Sequence, residues 1–160
     1  MLMAAADTCK ALVSEIRNIC YALYPPALDN LGLIAAFHGI AETGHQAGVE
    51  VKIECGPDVD SLRLPRMVEI ALYRVAQEAV ANAVRHANPS QIRVTMEHLA
   101  TGTSLRVTDD GDGFVDTKVA SGLGLTVMRE RILAVGGSLQ INSEPGQTVI
   151  SAFVPANAPV

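Results

Sequence analysis

The hydrophobic positions of this chain switch between a period near 3.6 and a period of 2, and each switch marks an element boundary. Residues 7–23 place Ala11, Leu12, Ile16, Ile19, Cys20 and Leu23 near helical spacing with Glu15 and Arg17 between them, which predicts an amphipathic helix. Tyr24-Pro25-Pro26 should stop it, because proline disfavours the helical region for the residue before it. Leu33, Ile34, Phe37 and Ile40 predict a second helix over 31–46, weakened towards Gly44 and Gly48. The run 49–55 alternates strictly and reads as a strand with one buried face, closed by Gly56-Pro57-Asp58.

The longest helical pattern follows over 64–87, with Val68, Leu72, Val75, Ala79 and Ala83 at three- and four-residue steps and Asn88-Pro89 as its stop. Residues 91–99 and 104–108 read as paired strands joined through Ala100-Thr101-Gly102-Thr103. A last helix over 123–135 ends at Gly136-Gly137, and 138–143 with 149–154 form a closing hairpin. Two hairpins and an earlier strand make a mixed, mostly antiparallel sheet. The interleaved helices then layer on one of its faces, an α+β two-layer sandwich. No internal repeat or low-complexity tract interrupts this order. A boundary is expected at Pro25-Pro26, dividing an N-terminal segment, 1–26, from a compact remainder, 27–160.

Composition narrows the classes without changing this picture. A chain of 160 residues with 49% hydrophobic and 18% charged residues has the size and balance of one globular domain. Tryptophan is absent and aromatics make up 4%, so aliphatic side chains and alanine must build the core. A net charge of -5 argues against a broad nucleic-acid surface, which needs clustered Lys and Arg, but leaves room for a local phosphate site. Cys9, Cys20 and Cys55 are too few and too far apart for a zinc cluster or a disulfide framework. No apolar run approaches the ~20 residues that cross a bilayer, and no basic-then-apolar leader opens the chain, so a cytoplasmic location is expected.

Three clusters carry candidate chemistry. On the long helix Arg74, Glu78, Asn82 and His86 recur every four residues with Arg85 beside them, so their side chains share a stripe. Glu78 can accept a proton, Asn82 offers a neutral oxygen suited to a magnesium ion that keeps waters and phosphates, and Arg85 and His86 can meet negative charge. A solvated polar face accounts for the same stripe.

The second cluster, Asp109-Asp110-Gly111-Asp112-Gly113-Phe114, follows a strand. Asp109 as a carboxylate only accepts hydrogen bonds, which matches an exocyclic amine such as adenine's, and the glycines let a flat ring approach the backbone. A calcium loop lacks its distal Glu, since Ala120 stands there; an ordinary turn stays open. In the third cluster, Ser121-Gly122-Leu123-Gly124-Leu125 runs into the last helix, whose start presents free N–H groups to a phosphate. Neither a Rossmann nor a Walker pattern is present. A glycine-assisted helix cap fits the same residues.

Order and spacing together bring out a family likeness. The run from Glu78 through Asn82 to Arg85-His86-Ala87 resembles the N box of the GHKL ATPases, the superfamily of gyrase, the 90-kDa heat-shock chaperone, histidine kinases and MutL. Asp109-x-Gly111-x-Gly113 resembles the G1 box, Gly122-Leu123-Gly124-Leu125 the G2 box, and Gly146-Gln147-Thr148 the last glycine-threonine element. The likeness covers residues 64–155 and implies a Bergerat-type sandwich. Tyr24-Pro25-Pro26-Ala27-Leu28-Asp29-Asn30-Leu31-Gly32-Leu33 and Met128-Arg129-Glu130-Arg131-Ile132 resemble histidine kinases of the subclass with a short ATP lid and a two-helix dimerization module unlike the commonest one.

The resemblance implies roles as well as a fold. Asp109 would accept from the adenine amine and Asn82 would hold Mg²⁺. Arg85 and His86 would stand near the phosphates. Gly122, Gly124 and Leu125 would hinge and anchor a mobile lid over 114–121, Leu123 would line the ATP site with them, and Thr148 would sit beside the adenine. Glu78 takes the position of the acid that activates water in the ATPase relatives, with an undecided part in a kinase. His38, His45, His86 and His98 lack the setting of a receiving histidine. The expected protein is therefore the ATP-binding catalytic domain of a sensor histidine kinase, with residues 1–26 the end of a dimerization helix. Its partners would be ATP, a phosphoacceptor helix of the same full-length kinase and a response regulator, with a homodimer in the full-length protein and no nucleic acid. A stand-alone GHKL ATPase, an anti-sigma-type serine kinase and a nucleotide-free interaction module are the alternatives.

Overall fold

A computed structural model describes residues 26–59, 62–114 and 123–158. Three helices and five strands follow in the order α1 (Pro26–Gln46), β1 (Glu50–Cys55), α2 (Arg66–Asn82), a π-helical turn (Ala83–Ala87), β2 (Gln91–Leu99), β3 (Gly102–Asp109), α3 (Leu123–Ala134), β4 (Ser138–Glu144) and β5 (Gln147–Pro155). The strands form one sheet in the order β1-β2-β3-β5-β4. Only the β1–β2 pair is parallel, as a strand-helix-strand crossover requires; the others are antiparallel. This is the expected mixed, mostly antiparallel sheet under one layer of helices.

Strand alternation sorts the two faces. Ile92, Val94 and Met96 of β2, Leu105 and Val107 of β3, and Ile150, Ala152 and Val154 of β5 point inward and are buried. Arg93, Glu97 and Arg106, at the intervening positions, are exposed. The helices cover the inward face through Phe37 and Ile40 of α1, Val68, Leu72 and Val75 of α2, and Met128 and Ile132 of α3, all in one continuous core with the strands. Phe37, Leu72, Ile92 and Ile132 are wholly shielded from solvent. Burying a side chain of that size contributes roughly 1.5–3 kcal/mol.

Several boundaries differ from the sequence expectation, each for a local reason. Pro26 is the first residue of α1, where a missing N–H costs nothing. The helix expected over 31–46 thus begins five residues earlier, but it is broken at Gly32, whose φ of 80° and ψ of 175° lie outside helical space. The long helix starts at Arg66 after Pro65 and stays α-helical only to Asn82, where it widens into the π turn; Asn88, at φ 47° and ψ 48°, then closes it in the left-handed conformation. In the first hairpin, β3 begins at Gly102 rather than at Ser104, because Gly102 and Thr103 already pair with Leu99 and His98. The helix over 7–23, most of the N-terminal segment 1–26, Cys9 and Cys20, Gly122 and all but Phe114 of the lid lie outside the described residues.

Candidate functional site

Two strand positions break the apolar alternation at the same end of the sheet. On β3 the inward row is Thr103, Leu105, Val107, Asp109, so Asp109 occupies a place the period assigns to a core side chain, and it is only 6% exposed. On β5 the inward row starts at Thr148, also buried, and continues through Ile150. The register sets Asp109 opposite Thr148, and Thr148 opposite Ser143 of β4. Three adjacent strands therefore carry one polar rung beneath the helices. Ser143 Oγ lies 2.9 Å from Thr148 Oγ1 and accepts the Phe114 N–H at 2.8 Å, which ties the chain after the aspartate loop to the rung.

The two neighbouring aspartates do different things. Asp109 Oδ1 accepts the Gly111 N–H at 3.1 Å, and burial pushes its carboxyl above the usual carboxylate range despite that bond. Asp110 turns outward and accepts hydrogen bonds from Ser90 Oγ and from the N–H groups of Ser90 (2.8 Å) and Gln91 (2.9 Å), which hold its carboxyl below the ordinary value. Asp109 is the carboxylate left facing the interior, and Asp110 is the clamp that fastens the loop to the start of β2.

The glycines of this loop answer to the protein itself as well as to any ligand. Gly111 lies against Ala87, the last residue of the π turn, so closely that an added Cβ would come within 2.6 Å of the Ala87 methyl. Asp112 N–H donates to the Ala87 carbonyl at 2.7 Å, and Gly146 N–H donates to the Gly111 carbonyl at 3.0 Å. Gly113 has φ +66°, and a Cβ there would meet the backbone of Glu144. The loop is thus laced between α2's end and the β4–β5 turn. The expectation that both glycines admit a flat ring gains a second cause: Gly113 lines the cleft, whereas Gly111 packs on Ala87.

Above the rung lies a cleft of about 640 Å³, inside the usual range for a small-molecule site. Its floor and one end are Asp109, Thr148, Ile150, Gly113 and Phe114; its wall is Glu78, Ala79 and Asn82 of α2 with Ala83 and the rest of the π turn; its far side is Leu123, Gly124 and Leu125 of α3. Of the residues singled out from sequence, Glu78, Asn82, Arg85, His86, Asp109, Gly113, Leu123, Gly124, Leu125 and Thr148 line this one space. Gly111 supports it from behind. Arg74, the first residue of the four-step stripe, does not line it and instead donates to Gln77 Oε1 at 2.6 Å.

Sequence reasoning missed three contributors. The π turn rotates Arg85 and His86 away from where an α-helix would carry them; both are exposed at the cleft edge. Ser143 gave no signal except that it falls on the inward period of β4. Phe114 supplies an apolar wall next to Ile150, Ala79 and Ala83, against which a planar group can lie.

The cleft's two ends differ chemically. One offers a buried acceptor beside apolar walls. The other holds Asn82, whose side chain lies close to Gly124 of α3, with Arg85 and His86 exposed on the π turn. Among the described residues no group of three or more His, Cys, Asp or Glu is placed to hold a metal ion. A cation here would rest on the Asn82 amide oxygen, with Glu78 one helical turn away, and otherwise on water and a ligand's own oxygens. That sparse, hard-oxygen donor set fits magnesium, which keeps several waters and binds with phosphates. Among the described residues no helix is long and apolar enough to cross a membrane.

Comparison with known proteins agrees with this geometry. Residues 67–158 match the family described as histidine kinase-, DNA gyrase B- and HSP90-like ATPase. Sensor histidine kinase MctS of Rhizobium johnstonii is 38% identical over 155 residues, 92% of this chain and 33% of that protein. The signal transduction histidine-protein kinase/phosphatase DegS of Brevibacillus brevis is 36% identical over 145 residues, 88% of this chain and 37% of that protein. The chain thus spans about a third of the length of these curated relatives. Among solved structures, the Acinetobacter baumannii histidine kinase AdeS shares the fold, with a TM-score of 0.63 at 16% identity over 98% of this chain and 82% of that one. With more than half its length matched and the site's residues converging on one cleft, the chain belongs to the histidine kinase-, DNA gyrase B- and HSP90-like ATPase family.

Proposed function

We propose that this chain is the ATP-binding catalytic domain of a sensor histidine kinase, which passes the γ-phosphate of ATP to a histidine outside this chain for relay to a response regulator. The observation that carries the reading is the buried Asp109 carboxylate, set on the inward period of β3 at the apolar end of a nucleotide-sized cleft. A charged acceptor is costly there unless something donates to it. The adenine amine is such a donor, and Phe114, Ile150 and Ala83 would hold the ring. Thr148, fixed by Ser143, would stand beside it.

The triphosphate would then run toward Asn82, Arg85, His86 and the start of α3. Magnesium, when bound, supplies charge neutralisation at the phosphates, and Asn82 is the residue that would hold it. Arg85 would add positive charge from the rim and His86 a ring N–H donor, where their exposure leaves them free to follow the γ-phosphate. Gly122, Gly124 and Leu125 would anchor the lid, 114–121, and its closure would exclude water from the transfer. Glu78 lines the same end, and phosphoryl transfer is mostly positioning and charge stabilisation, so it need not act as a base.

The names of the relatives favour a kinase over a stand-alone ATPase or a serine kinase. That the parent is dimeric and of the short-lid subclass, with residues 1–26 ending a dimerization helix, rests on the motif likeness at residues 24–33 and 128–132. Transfer is tested by incubating the chain with ATP labelled on the γ-phosphate and a histidine-bearing helix pair from the parent kinase. Acid-labile label on the helix pair, with negligible hydrolysis by the chain alone, is expected. Repeated hydrolysis without a partner, lost in Glu78→Ala, would assign the chain to the ATPases instead.

A further inference from the structure

The π turn after α2 decides which side chains stand at the cleft. Were the α-helix to continue, His86 would stack over Asn82, four residues on. Hydrogen bonds in a π turn span five residues, so Ala87 falls into line with Asn82 instead. Ala87 is buried at that place, under the aspartate loop, where a Cβ on Gly111 would come within 2.6 Å of its methyl. An imidazole does not fit there. The extra residue thus moves Arg85 and His86 to the exposed rim of the cleft and leaves a methyl beneath the loop.

Two features hold the turn in this register. The loop grips the chain beyond it: Asp112 N–H donates to the Ala87 carbonyl at 2.7 Å, and Asp110 accepts the N–H groups of Ser90 and Gln91 at 2.8 and 2.9 Å. Between these grips stands Asn88, at φ 47° and ψ 48°, immediately before Pro89. Among the described residues it is the one non-glycine residue with a positive φ. A side chain is rarely held in that conformation unless its surroundings demand it, and asparagine tolerates it better than most.

Resting on the ATP reading above, we propose that Asn88 is a positioning residue for the triphosphate. Its left-handed turn lets the loop hold Ala87 while the five-residue register carries Arg85 and His86 to the phosphate side of the rim. Asn88 does not line the cleft, so it acts through those two side chains. When position 88 resists the left-handed turn, the loop's grip still fixes Ala87, and the misfit falls on residues 83–86. The phosphate end then loses its aim while the adenine end keeps its shape.

The test compares dissociation constants for Mg-ATP and for adenosine, which has the base and no phosphates. Asn88→Val, whose branched side chain resists a positive φ, should weaken Mg-ATP about tenfold and leave adenosine within about threefold. Asn88→Gly turns left-handed freely and should match wild type on both ligands. Adding Asn88→Val to an Arg85→Ala/His86→Ala protein should cost Mg-ATP less than about threefold more, because the side chains it aims are already gone. Asn88→Ala carries the same comparison if Asn88→Val does not fold.

Unchanged Mg-ATP affinity in Asn88→Val, equal losses for ATP and adenosine, or an undiminished loss in the Arg85→Ala/His86→Ala background would each overturn the positioning role and leave the ATP reading standing. Wild-type protein that binds neither ligand would overturn both.

Discussion

Asp109 and Asp110 are chain neighbours with opposite environments, and pH separates them. The Asp109 carboxyl titrates above its ordinary value because burial disfavours its charge. Its folded pKa therefore exceeds the unfolded value of about 3.9, so ionised Asp109 destabilises the empty fold above the raised pKa, and that cost is relieved as pH falls through it. Asp110 is the reverse: its lowered pKa contributes stability above about pH 4 that is lost as pH falls through the folded value. Asp109→Asn keeps an oxygen for the Gly111 N–H, so the empty protein should melt at the same temperature or higher. Asp110→Ala removes the acceptor for Ser90 and Gln91 and should melt lower, by an amount that shrinks in acid. A calorimetric Tm series from pH 3 to 8 checks both signs, and a lower Tm for Asp109→Asn at neutral pH would contradict the buried-charge account.

At the scale of elements, the aspartate loop is held not only by the Asp110 clamp but by Asp112 to Ala87, Gly111 to Gly146, and Phe114 to Ser143. Gly113→Ala combines a left-handed backbone with a collision at Glu144 and should cost about 2–4 kcal/mol, read as a fall in denaturant midpoint without a change in slope. Ser143→Ala removes two milder bonds and should cost about 1 kcal/mol each at most. Order and type of the elements were legible in the sequence because periods of 3.6 and 2 are imposed by the same burial that the structure displays. The parts that were not legible are those where tertiary contact overrides a local rule. The start of α1 at Pro26, five residues before the expected one, uses a position where a missing N–H costs nothing. The α-to-π change after Asn82 leaves no mark in an apolar spacing that both helices satisfy. Asp109 was legible as a candidate acceptor from its glycine-rich setting and Thr148 through the family resemblance, whereas their shared rung with Ser143 needs the β3–β5–β4 register, which no single segment encodes.

The molecule as a whole places its cleft between layers. The sheet gives a fixed floor through β3 and β5, α2 gives a wall anchored by Leu72 and Val75, and α3 forms the far side with Leu125, Met128 and Ile132 in the core. Leu72→Ala should therefore destabilise by about 2–5 kcal/mol and loosen the cleft through α2 without touching a ligand. On the proposed reading nucleotide binds where these layers meet, so Mg-ATP at about 100 times its dissociation constant should stabilise the fold by about 2.7 kcal/mol, a rise in Tm of roughly 5–10 °C for a domain of this size. The central claim is that the Asp109 carboxylate reads adenine, and isothermal titration of Mg-ATP into wild type and Asp109→Asn tests it most directly. One saturable site in wild type is predicted, weakened by about 1.5–3 kcal/mol, or roughly ten- to 150-fold, in the variant. Equal affinity in the two proteins would contradict it.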